Sequence, residues 1–154
     1  MRMSDCVVRE AIVPELAATS KEAVIREMVE SLRSAGYFKG GEIEDIVKAI
    51  LKRELLGSTG IGRGVAIPHT KHNSVDRLIC TVALSRPGVA FDSLDGEPVH
   101  VFVLLLSPQD RPGDHLRFLE LVSRILRDDG FVKSLRQATT RDAIWGLLND
   151  QQPH

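Results

Sequence analysis

The stretch Gly57-Ser58-Thr59-Gly60-Ile61-Gly62-Arg63-Gly64-Val65-Ala66-Ile67-Pro68-His69 constrains this chain more than any other. Its glycines permit positive φ and close backbone approach. Pro68 fixes its own φ and biases Ile67 toward an extended conformation. His69 therefore leaves a stiff strand end beside a loop rich in backbone N–H donors, which suits an anion. Imidazole is largely neutral, and so nucleophilic, near neutral pH. On chemistry alone the motif suits a histidine that handles a phosphoryl group or another anion.

The rest of the chain bounds where such a site sits. At 154 residues, one domain spanning 1–154 is expected, with a sizeable core. A net charge of -1 gives no electrostatic case for nucleic acid or an anionic membrane. The longest apolar run, Val101 to Leu106, is too short to cross a bilayer. Met1 to Cys6 lacks the apolar core of a signal peptide. Cys6 and Cys80 make neither a disulfide framework nor a metal set. A reduced, cytoplasmic setting follows, with no insertion into a membrane.

Thr19-Ser20-Lys21-Glu22 reads as a capping box ahead of Val24, Ile25, Met28, Val29 and Leu32, with Gly36 as the stop. A second helix carries Ile43, Ile46, Val47, Ile50, Leu51 and Leu55 on one side and ends at Gly57. Arg53, in its last turn, can reach the glycine loop. Val65–Ile67 and Leu78–Ser85 read as strands, the latter closed by a turn at Arg86-Pro87-Gly88. Asp95-Gly96-Glu97-Pro98 turns into Val99–Leu106, a buried central strand. Asp114 is expected to cap a helix that stops at Asp129-Gly130, and Thr139 to Asp142 opens a final one. Helices bracket a strand-rich middle. The predicted fold is a single-domain α/β sandwich, a central mixed sheet with helices on both faces.

Other chemistries fail on spacing. Gly57 to Gly62 matches the start of a P-loop, but Arg63 and Gly64 stand where Lys and Ser or Thr are required, and the loop follows a helix. Evenly spaced Gly60, Gly62 and Gly64 do not fit a dinucleotide fingerprint. His69 and His72 lack further ligands for a metal, and His72 reads as a solvated loop residue. No Gly-x-Ser-x-Gly elbow occurs, and Cys80 reads as a buried, inert thiol. His100 reads as a packed strand residue, and His154 lies in a polar tail. His115 follows Pro112-Gly113-Asp114 at a helix start, a position that favours anions, but taken alone it reads first as an exposed first-turn histidine.

Taken in order, Arg53-Glu54, Gly57 to His69, Ala90-Phe91-Asp92, Asp95 to Val99 and Asp114-His115-Leu116 resemble enzyme IIA of the fructose/mannitol class. These are phosphocarriers of the bacterial phosphoenolpyruvate-dependent sugar phosphotransferase system. The Gly-Ser-Thr-Gly-Ile-Gly segment is most similar to the stand-alone nitrogen-regulatory branch. Arg63 in the loop and Thr70 after His69 depart from it.

The resemblance implies a mixed sheet flanked by helices and a phosphoryl group accepted on His69 from HPr or an HPr-like carrier. It implies that His115 stabilises the group without being phosphorylated, and that Arg53 lies beside it. Ser58 and Thr59 fall where hydroxyl and backbone donors orient the group. No metal and no cofactor is required. The outlets it implies are regulatory protein targets, met in trans, or an enzyme IIB of a fructose- or mannitol-type transporter. A non-phosphorylated binding module is the third reading. An apolar docking patch of Ile61, Val65 and Ile67 is expected around His69.

Overall fold

The computed structural model describes residues 1–150, so His154 lies outside the described residues. Among them are five α-helices and a five-stranded sheet. The run Val99–Ser107 forms the central strand, β5, and is apolar almost throughout because both of its faces are covered. It pairs antiparallel with β4, Ile79–Val89. Its other edge carries two short parallel strands in tandem, β2 (Val65–Ala66) beside Val101–Phe102 and β3 (His69–Lys71) beside Leu105–Ser107. β1, Gly60–Gly62, adds to β2 antiparallel. Beyond β4 the N-terminal segment covers the open edge, with Val7 bridged to Cys80 and Val13 to Ala83.

Alternation along β5 divides the interior in two. Val101, Val103 and Leu105 join a core with Phe118 and Leu121 of α3 (Pro112–Ile125), Phe131 and Leu135 of α4 (Asp129–Gln137), and Ile144 and Leu148 of α5 (Arg141–Asn149). Phe102, Leu104 and Leu106 join the other core, with Ile25, Met28 and Leu32 of α1 (Lys21–Ser34) and Ile46, Val47 and Ile50 of α2 (Ile43–Leu55). Each such side chain, fully buried, contributes about 1.5–3 kcal/mol. The sandwich with helices on both sheet faces is the one expected.

Local details differ from the sequence reading. Ser20 caps α1 by accepting from Ala23 N–H at 3.3 Å, but Ala23 cannot reciprocate. Glu22 lies one position too early for a capping box and faces Arg26 at 3.6 Å. β4 does not close at Ser85. It continues to Val89 through a bulge that accommodates Pro87, which has no N–H to offer a ladder. Gly88 is obligatory there: at φ +82°, an added Cβ would lie 2.8 Å from His100 Cε1. α3 begins earlier than expected, at Pro112 with Arg111 as its cap, which puts Asp114 in the first turn. Asp129-Gly130 is a start and not a stop, because the Asp128 carboxylate accepts from Phe131 N–H and opens α4.

Candidate phosphoryl-transfer site

The glycine segment folds as a tight β1–β2 hairpin. Arg63 and Gly64 at its turn have φ of 59° and 78°, the double positive φ of a tight two-residue hairpin. A Cβ at Gly60 would overlap the Ser93 hydroxyl and lie 3.1 Å from Ser93 Cα. The expected cradle of free donors is corrected. Thr59 N–H bonds the Glu54 carboxylate at 3.1 Å, Gly60 N–H bonds Ser58 Oγ at 3.0 Å, and Arg63 N–H bonds Asp95 Oδ2 at 3.0 Å. These glycines serve turn geometry and close packing, and the hairpin feeds the chain into β2.

Between β2 and β3 the ladder breaks at Ile67-Pro68. The Ile67 carbonyl there accepts from the His69 ring, with Nδ1 and the oxygen 2.7 Å apart. A carbonyl can only accept, so Nδ1 carries the proton and Nε2 is left with a bare lone pair. Burial pushes the His69 pKa below its ordinary value, and the Arg53 charge lowers it further against the opposing pull of Ile67 and Glu54. The ring is neutral at pH 7.

His115 enters from the first turn of α3 and is buried. Its ring centroid lies 5.4 Å from that of His69, at a tilt of 57°. Nδ1 of His115 is hydrogen-bonded to the Ser107 hydroxyl at the end of β5. Burial, reinforced by the nearby His69 and Lys71, pushes the His115 pKa down to about 4. Two neutral imidazoles therefore face each other across the ends of β3 and α3.

Arg53, in the last turn of α2, donates to Gly57 O at 2.9 Å and keeps further guanidinium donors. Its neighbour Glu54 is buried and ion-paired with Lys21 at 2.9 Å. That carboxylate also receives both the N–H and the hydroxyl of Thr59. The Ser58 hydroxyl donates to Phe91 O at 2.7 Å. The hydroxyl protons of Ser58 and Thr59 are thus both committed to acceptors outside the loop, on Phe91 and on Glu54 of α2. Lys21 has no sequence signal of its own, since it lies a helix away and is one more charge in a first turn.

The apolar surface is corrected too. Val65 and Ile67 are buried, and only Ile61 of the expected trio is exposed. Large apolar side chains reach solvent instead at Leu55, Leu56, Leu94 and Leu116. Leu55, assigned to the buried side of α2, is 87% exposed. These residues adjoin site elements: Leu55 and Leu56 follow Arg53, Leu116 follows His115, and Leu94 N–H bonds Gly60 O at 3.4 Å.

His72 is not the solvated residue expected. It is buried, and Nδ1 accepts from Ser74 N–H at 3.1 Å. The ring proton consequently lies on Nε2, 2.5 Å from Asp45 Oδ2. Glu42 completes a cluster of three possible ligands, but this bonding leaves the imidazole no lone pair for a cation. His100 packs in its strand with Nδ1 on Ser85 O at 3.0 Å. Cys80 is fully buried, and its thiol pKa is raised by that burial. No helix among the described residues is long and apolar enough to cross a membrane.

Known proteins match this chain along nearly its whole length. The family model described as phosphoenolpyruvate-dependent sugar phosphotransferase system, EIIA 2, matches residues 7–151. A nitrogen regulatory protein of Bradyrhizobium diazoefficiens is 37% identical over 149 residues, 96% of this chain and 95% of its own length. The fructose-specific EIIABC component of Bacillus subtilis is 35% identical over 97% of this chain, which spans 23% of that longer protein. The crystal structure of nitrogen regulatory protein IIA-Ntr from Neisseria meningitidis superposes with a TM-score of 0.85 at 28% identity, covering 95% of this chain and 98% of that one. The chain belongs to the EIIA 2 family of the phosphoenolpyruvate-dependent sugar phosphotransferase system.

Proposed function

We propose that this chain, acting over 1–154 as one enzyme IIA domain, is a cytoplasmic phosphocarrier that accepts a phosphoryl group on Nε2 of His69. The observation that carries this is the Ile67 carbonyl on Nδ1, which leaves Nε2 unprotonated beside a second neutral histidine. The donor is phospho-HPr or an HPr-like carrier. The Nε2 lone pair of His69 attacks phosphorus, and a new P–N bond forms as the donor's P–N bond breaks. The bonding pair returns to the donor's nitrogen. The proton stays on Nδ1, hydrogen-bonded to the Ile67 carbonyl, so no base is needed.

Charge on the equatorial oxygens is met by Arg53, a permanent cation with donors in a plane, and by an N–H of His115. Ser58 and Thr59 act through the shape of the loop, which Glu54 and Lys21 hold from beneath. Leu55, Leu56, Ile61, Leu94 and Leu116 form the face on which carriers dock, and such contacts are small enough to release after transfer. The outlet is regulatory, through protein targets, a reading supported by the 37% identity with a nitrogen regulatory protein over 95% of that protein's length. Delivery to an enzyme IIB is the second reading, supported by the fructose-specific relative.

Incubation with phosphoenolpyruvate, enzyme I and HPr tests the proposal. An acid-labile, base-stable label is expected on the native chain and none on His69→Ala. Equal labelling of the two sinks it. The choice of outlet is tested by offering the labelled chain an enzyme IIB: rapid loss of label to its cysteine favours transport.

A further inference from the structure

Ser107 closes the run Val101–Leu106 of apolar residues in β5 and is fully buried. Its backbone is engaged by the sheet: it pairs with Lys71 of β3, and its carbonyl accepts from His72 N–H at 2.8 Å. Among the described residues, its hydroxyl has one hydrogen-bond partner, Nδ1 of His115. A buried hydroxyl that only accepted there would leave its own proton without a partner, a costly arrangement. Donation into Nδ1 satisfies both groups. A neutral imidazole that accepts at Nδ1 must carry its proton on Nε2. With Nδ1 turned to β5, Nε2 is the nitrogen left for a group carried by His69, whose ring centre is 5.4 Å away.

We infer that Ser107 is a positioning residue for phosphoryl transfer: its hydroxyl holds His115 as the Nε2–H tautomer, so that an N–H and not a lone pair faces the phosphoryl oxygens. This rests on the phosphocarrier reading of His69. The two site histidines are then set in opposite tautomers by their partners. The Ile67 carbonyl can only accept and leaves His69 a nucleophile, whereas the Ser107 hydroxyl donates and leaves His115 a donor. His115 in the other tautomer would present a lone pair to an anion and repel it. Fixing the orienting partner of a catalytic imidazole is a known way for one hydrogen bond to govern a rate.

Long-range nitrogen-15 correlation spectra of the imidazoles in the full chain, at neutral pH, read the tautomers directly. They are expected to show His69 as Nδ1–H, and His72 and His115 as Nε2–H. In Ser107→Ala, His115 should become a mixture while His72 is unchanged, and acceptance of label from phospho-HPr should slow about tenfold or more. Ser107→Thr keeps the hydroxyl and should restore both readings, and Ser107→Cys, a weaker donor of similar size, should fall between. Should Ala not fold, the Cys and Thr variants carry the test. Native His115 found as Nδ1–H overturns the inference, and so does a tautomer shift that leaves the rate at the native value. Native chain that takes no label overturns the phosphocarrier reading itself, a result distinct from equal labelling of native and Ser107→Ala.

Discussion

His69 opens β3 and His72 lies just past its end, three residues on, yet the fold treats them oppositely. Both ring nitrogens of His72 are bonded, one to Ser74 and one to Asp45, and the ring is buried beneath them. His69 has one nitrogen bonded, to a carbonyl of its own strand connection, and the other open. A closed set of hydrogen bonds makes a histidine a structural tie between α2 and the strand end. Leaving one nitrogen unmatched suits it to the reagent's role proposed for it. Residue type and spacing do not distinguish the two, but the partners do.

The comparison breaks most visibly on substitution. His69→Gln should abolish phosphoryl acceptance, a loss of at least about a thousandfold for removal of a nucleophile, with little effect on unfolding by urea. His72→Ala should do the reverse: native-like labelling, but about 2 kcal/mol less stability from the polar groups left unmatched. If His72→Ala were the more damaging to labelling, the division between tie and reagent would be wrong.

Smaller effects sharpen the picture. Arg53→Ala should slow acceptance by about a hundredfold, as removal of a single donor to a developing oxyanion does, while Arg53→Lys recovers part of the loss as a point charge. Rapid-quench labelling measures both. Leu56→Asp places a charge on the exposed apolar face and should slow acceptance by about tenfold, without altering the unfolding midpoint. An unchanged rate removes Leu56 from the docking face.

The gentlest test is pH. Both site histidines have folded pKa values below the ordinary 6.5, His115 at about 4. As pH falls below 6.5 the unfolded chain takes up protons that the folded chain refuses, so stability declines. The loss attributable to His115 is about 1.4 kcal/mol per pH unit and ends near its folded pKa. Stability measured across that window should fall less steeply for His115→Asn than for the native chain. Parallel curves would mean that His115 is not held neutral by the fold.

The sequence carried the frame of this site and missed its wiring. Pro68-His69 stood out because proline stiffness beside a glycine loop is a local signal, whereas Arg53 and His115 were singled out by family position, a helix end and a helix start being ordinary places for an arginine and a histidine. β5 was legible because only a strand covered on both faces reads as an unbroken apolar run. The role of the glycines was misread: Gly60 is glycine because Ser93 is packed against it, a contact 33 residues away along the chain. The Arg86-Pro87-Gly88 bulge looked like a turn because composition cannot separate the two. Asp128 and Asp129 were ambiguous in the same way, since an Asp before glycine suits an end or a beginning. Ser107, Lys21 and the true pairing of His72 depend on contacts between distant segments, and no periodicity records those.

The central claim is that the Ile67 carbonyl leaves Nε2 of His69 as the reacting atom. The most direct test is phosphorus–nitrogen correlation spectroscopy of the phosphorylated, nitrogen-15-labelled chain. The account predicts a single phosphoryl group bonded to Nε2 of His69, with the proton still on Nδ1. A phosphoryl group on Nδ1 of His69, or on His115, would contradict it.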